Sequence, residues 1–221
     1  MITSPVRTDR RLSPLRLYAA ALDGRPTTMI TESGEERGLP VATWTGAADD
    51  ADRVLLDRCA GPTLDLGCGP GRLTQALQAT GTPVLGVDLS AGAVRAAVGR
   101  GVVALRRDLF APLPAEGRWQ TILLADGNIG IGGDAVRLLA RCRSLLAPSG
   151  RVLLDLAEPG TGYVRRRVRL SAVGRVSGWF PWCWVDQPAL AVLAEWCGLR
   201  LVDHWTAGER WQAELRAVQP W

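Results

Sequence analysis

The sequence predicts a doubly wound α/β domain, and three observations carry that prediction. From residue 63 onward, short apolar runs alternate with stretches of helical length and periodicity. The run at 63–67 ends in a glycine-rich turn, Gly67-Cys68-Gly69-Pro70-Gly71, that leads directly into a helical pattern. The final two apolar runs, near 199–206 and 210–217, are separated only by Ala207-Gly208-Glu209 and read as a hairpin.

Taken in order, residues 13–23 predict a helix with Ser13 as N-cap and Pro14 at its first position, where proline's missing N–H costs nothing. Residues 24–46 carry Gly, Pro, Thr and Ser at loop density, and no strong strand is expected in the first 60 residues. Ala47 to Cys59 reads as helix. Residues 63–67 then form a short strand and 72–80 a helix ending at Gly81. A second strand covers 83–88, and Ser90 caps a helix 91–99 stopped by Gly99 and Gly101. Val102 to Leu105 is a third strand; a Pro-rich loop at 111–117 leads to a fourth, Trp119 to Ala125. Asp134 caps a helix through about Leu146, ended by Pro148 and Gly150. Val152 to Leu156 is a fifth strand, apolar enough to be buried on both faces. An irregular stretch, a helix near 188–197 and the hairpin complete the chain. Residues 1–60 therefore read as a helical segment in front of a main domain, 61–221, that carries an insertion at about 158–186.

Composition agrees with one such domain. A chain of 221 residues with 47% hydrophobic content can bury a central sheet. The net charge of +4 is spread along the chain, and every one of the 26 basic residues is arginine. The absence of lysine excludes a phosphate-binding P-loop. Cysteines at 59, 68, 142, 183 and 197 form no C-x-x-C pair, which argues against zinc, an iron–sulfur cluster or a disulfide framework and for a reduced cytosol. The first residues lack the apolar core of a signal peptide, and no apolar run reaches membrane-spanning length.

Chemistry concentrates at two strand ends. Glycines at 67, 69 and 71 let the backbone turn sharply and approach a ligand, and the following helix aims free N–H groups at it. Asp88, at the tip of the next strand, suits a ribose, whose two hydroxyls can both donate to one carboxylate. The dinucleotide fingerprint G-x-G-x-x-G needs a glycine where Arg72 stands. Asp65, two residues before the first glycine, fits a cationic or zwitterionic ligand better than a pyrophosphate.

Leu64-Asp65-Leu66-Gly67-Cys68-Gly69-Pro70-Gly71 resembles the first motif of class I S-adenosylmethionine-dependent methyltransferases. Val87-Asp88-Leu89-Ser90 resembles their second motif and Arg107-Asp108-Leu109 their third, in order over residues 60 to 157. The resemblance implies a Rossmann-like, seven-stranded sheet with an antiparallel C-terminal hairpin, and S-adenosyl-L-methionine as cofactor. It places Gly67, Gly69 and Gly71 under the cofactor, with Asp65 ordering the loop and facing its amino end. It gives Asp88 the ribose and Asp108 the adenine amino group, with Cys68, Leu89, Leu109 and Ala125 beside them. In similar enzymes an N-terminal segment folds over the cofactor, with an aromatic side chain beside the sulfonium; Tyr18 and Trp44 are the candidates here, or they simply pack the segment onto the domain.

The acceptor side is expected after the fourth strand, at Ala125-Asp126-Gly127-Asn128-Ile129-Gly130-Ile131-Gly132-Gly133-Asp134. Its four glycines would let backbone come close to two ligands at once. Asp126 and Asn128 either orient a substrate hydroxyl or amine or form an Asx-type turn, and Asp134 is read as a helix cap. The proline-and-aromatic run by which base-methylating enzymes grip a flipped base is absent, and so is the acid pair of metal-dependent catechol-type enzymes, so no metal is expected. Arg165-Arg166-Arg167-Val168-Arg169 reads either as an anion clamp or, preferentially, as a solvated strand edge. Trp179, Trp182 and Trp184 either line an apolar acceptor pocket or cover the sheet. His204, the single histidine, is the base to weigh against a packed or surface role. The reading that results is a cytosolic methyltransferase of a small-molecule acceptor, not a membrane protein. A nucleic-acid-directed enzyme and a non-catalytic cofactor-binding protein are the alternatives.

Overall fold

The computed structural model describes residues 12–218. In chain order the elements are α1 (Pro14–Leu22), β1 (Thr28–Thr31), β2 (Glu36–Gly38), α2 (Val41–Thr45), α3 (Asp50–Leu56), β3 (Thr63–Leu66) and α4 (Arg72–Ala79). They continue with β4 (Val84–Asp88), α5 (Ala91–Gly99), β5 (Ala104–Arg106), β6 (Trp119–Leu124), a 3-10 turn (Asn128–Gly133), α6 (Ala135–Leu145) and β7 (Leu146–Leu156). Last come β8 (Tyr163–Ala172), β9 (Arg175–Val176), β10 (Phe180–Val185), α7 (Gln187–Trp196), β11 (Leu199–Ala207) and β12 (Arg210–Ala217).

Seven strands form one mixed sheet in the order β11-β12-β7-β6-β3-β4-β5. The five from β5 to β7 run parallel, and β12 and β11 add antiparallel at the far edge. This is the predicted Rossmann-like sheet with its C-terminal hairpin. Alternation along the strands assigns the two faces. Ile122, Leu124, Val152 and Leu154 pack with α6 and α7, whereas Leu123 and Leu153 pack with Leu55, Leu56, Leu73 and Leu77 of α3 and α4. Strand order reverses between β3 and β6, so the loops leaving these two strands diverge there and open a crevice.

Element ends follow local chemistry. Asp49 caps α3 in a reciprocal box with Asp52, Ser90 caps α5 by accepting from Ala93 N–H, and Asp134 caps α6 by accepting from Arg137 N–H at 3.0 Å. Pro14 occupies the first turn of α1 as expected, although the Ser13 hydroxyl makes no cap bond.

Three expectations are corrected. Residues 24–46 are not all loop, and 158–186 is not irregular: together they build a second, antiparallel sheet of order β10-β8-β1-β2, with β9 on β8. The partners are about 140 residues apart along the chain, so neither segment betrays the other locally. The arginine run is also not at a strand edge, because β8 lies between β1 and β10. This sheet packs one face on α1 through Leu170, Ala172 and Phe180, and its β10 end sits on the 3-10 turn, where Cys183 and Val185 join the main core.

Candidate active site

The β3–α4 turn has left-handed backbone at Gly67, Gly69 and Gly71 (φ 78°, 54° and 85°), which L side chains rarely adopt. Space is short as well: a Cβ on Gly71 would lie 2.9 Å from Ala97 Cβ, and one on Gly69 3.0 Å from the Tyr18 hydroxyl. Asp88 organises the turn, accepting from Gly69 N–H at 3.0 Å and Ser90 N–H at 2.7 Å. Beneath it, Asp65 accepts from the Thr74 hydroxyl at 2.7 Å. Burial without a counter-cation raises the Asp65 carboxyl to about 7, and burial also raises Asp88. The Cys68 thiol is buried against β4 beside Gly86, and burial pushes its pKa far up, so it is packing rather than a nucleophile.

The N-terminal segment covers this turn. Tyr18 of α1 meets Trp44 of α2 edge-on, with ring centroids 5.9 Å apart. Burial raises the Tyr18 pKa, and the nearby Asp88, Cys68 and Asp126 add to it. Three acids, Asp65, Asp88 and Asp126, thus share one small region, and a positively charged ligand would relieve their repulsion. Arg100 ties the segment down by donating to the carbonyls of Thr45 and Gly46.

On the acceptor side, Asp126 has a left-handed backbone (φ 54°), rare for a residue with a side chain. Its N–H donates to Asp155 at 2.6 Å, and Asp155 also accepts from Gln212 at 3.0 Å. Arg72 Nη2 bridges both Asp126 oxygens at 2.8 and 2.7 Å, while Nη1 pairs with Asp52. Asp52 accepts from Arg210 at 2.8 Å, and Asp49 accepts from Arg210 at 2.6 Å. The network joins α3, α4, the β6 loop, β7 and β12 in one cluster whose centre is buried. Arg72 is 3% exposed and Asp52 0%. Sequence reading notices Arg72 only as an absent glycine and misses Asp52, Asp155 and Arg210. The only signal is their charge, and their spacing along the chain gives no hint that they meet.

The remaining predicted site residues have the following surroundings. The Asp126 carboxylate is held by arginine rather than left open to a substrate. Asn128 donates to the carbonyls of Leu66 and Gly67, both at 3.0 Å, and so braces the glycine turn from below. Two glycines of the acceptor loop make room for protein, not ligand: a Cβ on Gly130 would strike the Trp182 ring and lie 2.5 Å from Cys183 O, and one on Gly133 would lie 2.5 Å from Pro181 Cβ. Asp108 is exposed and accepts from Phe110 N–H at 2.9 Å; Leu109 is buried and Leu89 exposed. Ala125 is buried, its carbonyl accepting from Asn128 N–H at 3.0 Å. His204 is exposed on edge strand β11, in a shallow cleft of about 240 Å³ with Leu156, Gln187 and Trp211, apart from the glycine turn.

The glycine turn and the strand-end acid meet at the switch point of a Rossmann-like sheet, where this architecture places its ligand crevice. Residues 63–150 match the family model described as a methyltransferase domain. The fold agrees. A S-adenosylmethionine-dependent methyltransferase from Bacteroides fragilis, solved with S-adenosyl-L-homocysteine, superposes with a TM-score of 0.78 at 22% identity, over 93% of this chain and 95% of that one. The 1,6-didemethyltoxoflavin-N1-methyltransferase of Burkholderia thailandensis gives 0.58 at 18% identity over 99% and 94%. The glycopeptide N-methyltransferase MtfA gives 0.59 at 20% identity over 79% and 97%. No curated protein matches the sequence. Among the described residues, no helix is long and apolar enough to cross a membrane.

Proposed function

We propose that the protein transfers a methyl group from S-adenosyl-L-methionine to a small-molecule acceptor, without a metal ion. The observation that carries this is the acid-rich turn under Tyr18, which fits a ligand bearing a sulfonium and an ammonium. When bound, that cofactor supplies an activated methyl group for in-line displacement. The chain's own contribution is position. The turn at Gly67–Gly71 brings backbone close to the ligand, Asp88 retains lone pairs for the ribose hydroxyls, and Asp65 holds the turn to α4 through Thr74. Tyr18 and Trp44 close the site from above and exclude water, which favours a reaction driven by orientation. Asp108 and Leu109 flank the adenine side, together with Leu89. Asp126 acts as a strut that fixes the loop facing the methyl group. Arg72 holds Asp126, and Arg72 and Arg210 hold Asp52, so these carboxylates already have cation partners, which favours chemistry without a metal. Five free cysteines, four of them buried, favour a reducing compartment such as the cytosol.

The test is calorimetric titration with S-adenosylhomocysteine beside NAD. We expect micromolar binding of the former alone. Asp88→Ala removes a charge-assisted hydrogen-bond acceptor worth about 1.5–3 kcal/mol and should weaken binding roughly ten- to a few hundredfold. A loss under threefold would remove Asp88 from the site, and NAD binding would overturn the cofactor assignment.

A further inference from the structure

The arginine run of β8 and the aromatic run of β10 lie on paired strands. Arg166 stands directly opposite Trp182, and Val168 opposite Phe180. Side chains alternate across a strand, so Phe180, Trp182, Trp184 and Arg166 share one face, while Cys183 and Val185 on the other face enter the core. That shared face is the one that packs on α1 through Leu170 and Phe180, while Arg166 at its other end is exposed. Trp182 lies on Gly130, whose missing side chain makes room for the indole. Phe180 meets Trp182 edge-on at 6.5 Å and packs in the same cluster as Leu17 and Tyr18.

Polar groups on these strands differ in whether they have partners. Arg165 donates to Gly133 O at 2.7 Å, Arg167 reaches Glu32 at 3.9 Å, and Arg169 stacks over Trp179 at 4.8 Å. Arg166 alone in the run has no carboxylate, carbonyl or ring partner among the described residues. The indoles of Trp119 and Trp205 each donate to an oxygen, whereas the half-buried Trp182 and Trp184 on this face donate to none among the described residues, and of the two Trp182 is the one opposite Arg166. A broad π-face, an idle N–H and an idle guanidinium side by side suit one kind of molecule.

We propose that the acceptor is a planar aromatic molecule bearing an anionic oxyacid group, stacked on Trp182 with that group facing Arg166. This rests on the methyltransferase reading and names its acceptor. Neutral aromatics would keep the stacking and lose the ion pair; aliphatic acids would do the reverse.

The test uses naphthalene-2-carboxylate, 2-naphthyl phosphate, naphthalene-2-methanol and cyclohexanecarboxylate as probes, titrated calorimetrically with and without S-adenosylhomocysteine. The two aromatic anions should bind at least tenfold more tightly than the other two probes, and their ranking separates carboxylate from phosphate. Arg166→Gln should cost the anions roughly ten- to a hundredfold and the neutral alcohol less than twofold. Trp182→Ala should weaken all three aromatics. Equal affinity for acid and alcohol, or no binding of any aromatic anion, would overturn the proposal. Both variants should keep S-adenosylhomocysteine affinity within about threefold. Loss of that ligand in the wild type, with anion binding intact, would strike the methyltransferase reading alone.

Discussion

Replacing Arg72 by methionine keeps most of the side chain's apolar bulk and removes its charge. Two carboxylates then lose a cation: Asp126, whose two oxygens share Nη2 at 2.8 and 2.7 Å, and Asp52, which is 0% exposed. Breaking a buried ion pair from one side costs about 3–5 kcal/mol, chiefly because the orphaned charge stays desolvated. Arg210 still reaches Asp52 at 2.8 Å, and Asp126 is 25% exposed, so the lower end, about 3 kcal/mol, is expected. For a chain of this size about 2–4 °C accompanies each kcal/mol, which gives a fall in Tm of about 6–12 °C by circular dichroism. The double variant Arg72→Met/Asp126→Asn should recover at least about 1 kcal/mol, since it deletes one orphaned charge. A loss below about 1 kcal/mol, or a double variant no more stable than the single one, would refute the argument that this cluster is held by charge pairing.

Other expectations follow from the same geometry. The Asp65 carboxyl is raised to about 7 in the folded state from an ordinary value near 3.8, so the folded protein holds a proton that the unfolded chain releases. That stabilising contribution is complete below about pH 4 and is lost as pH rises to about 7; urea titrations should show Asp65→Asn lacking this decline, and parallel pH profiles would contradict it. Gly130→Ala places a methyl against Trp182 and Cys183 O, an overpacking cost of about 1–3 kcal/mol. A Trp182→Ala background should return part of that loss in denaturant unfolding, and no recovery would show that Trp182 is not what confines the loop. His204→Ala should leave methyl-transfer kcat within about threefold, because the ring is exposed on the sheet edge; a hundredfold fall would restore it as a base.

The changed role of Asp126 shows what local sequence conveys. A strand-end acid followed by Gly127 reads as a substrate-orienting group or a turn, and both readings describe the residue in isolation. Its actual partners, Arg72, Asp155 and the more distant Arg210, come from three other elements. Asn128 makes the same point, since the carbonyls it braces lie more than 60 residues earlier.

Features set by short-range physics are legible along the chain: the parallel strands from apolar runs, α5 and α6 from their caps, the glycine turn from residues that adopt left-handed backbone most readily, and Asp88 at its strand tip. Those features depend on a few neighbouring residues, so their composition specifies them. The second sheet, the arginine–carboxylate cluster and the placement of Arg166 opposite Trp182 emerge only once the chain is folded. Each depends on strands or side chains far apart along the chain, and pairing across such distances is set by the packing of the whole molecule rather than by local periodicity.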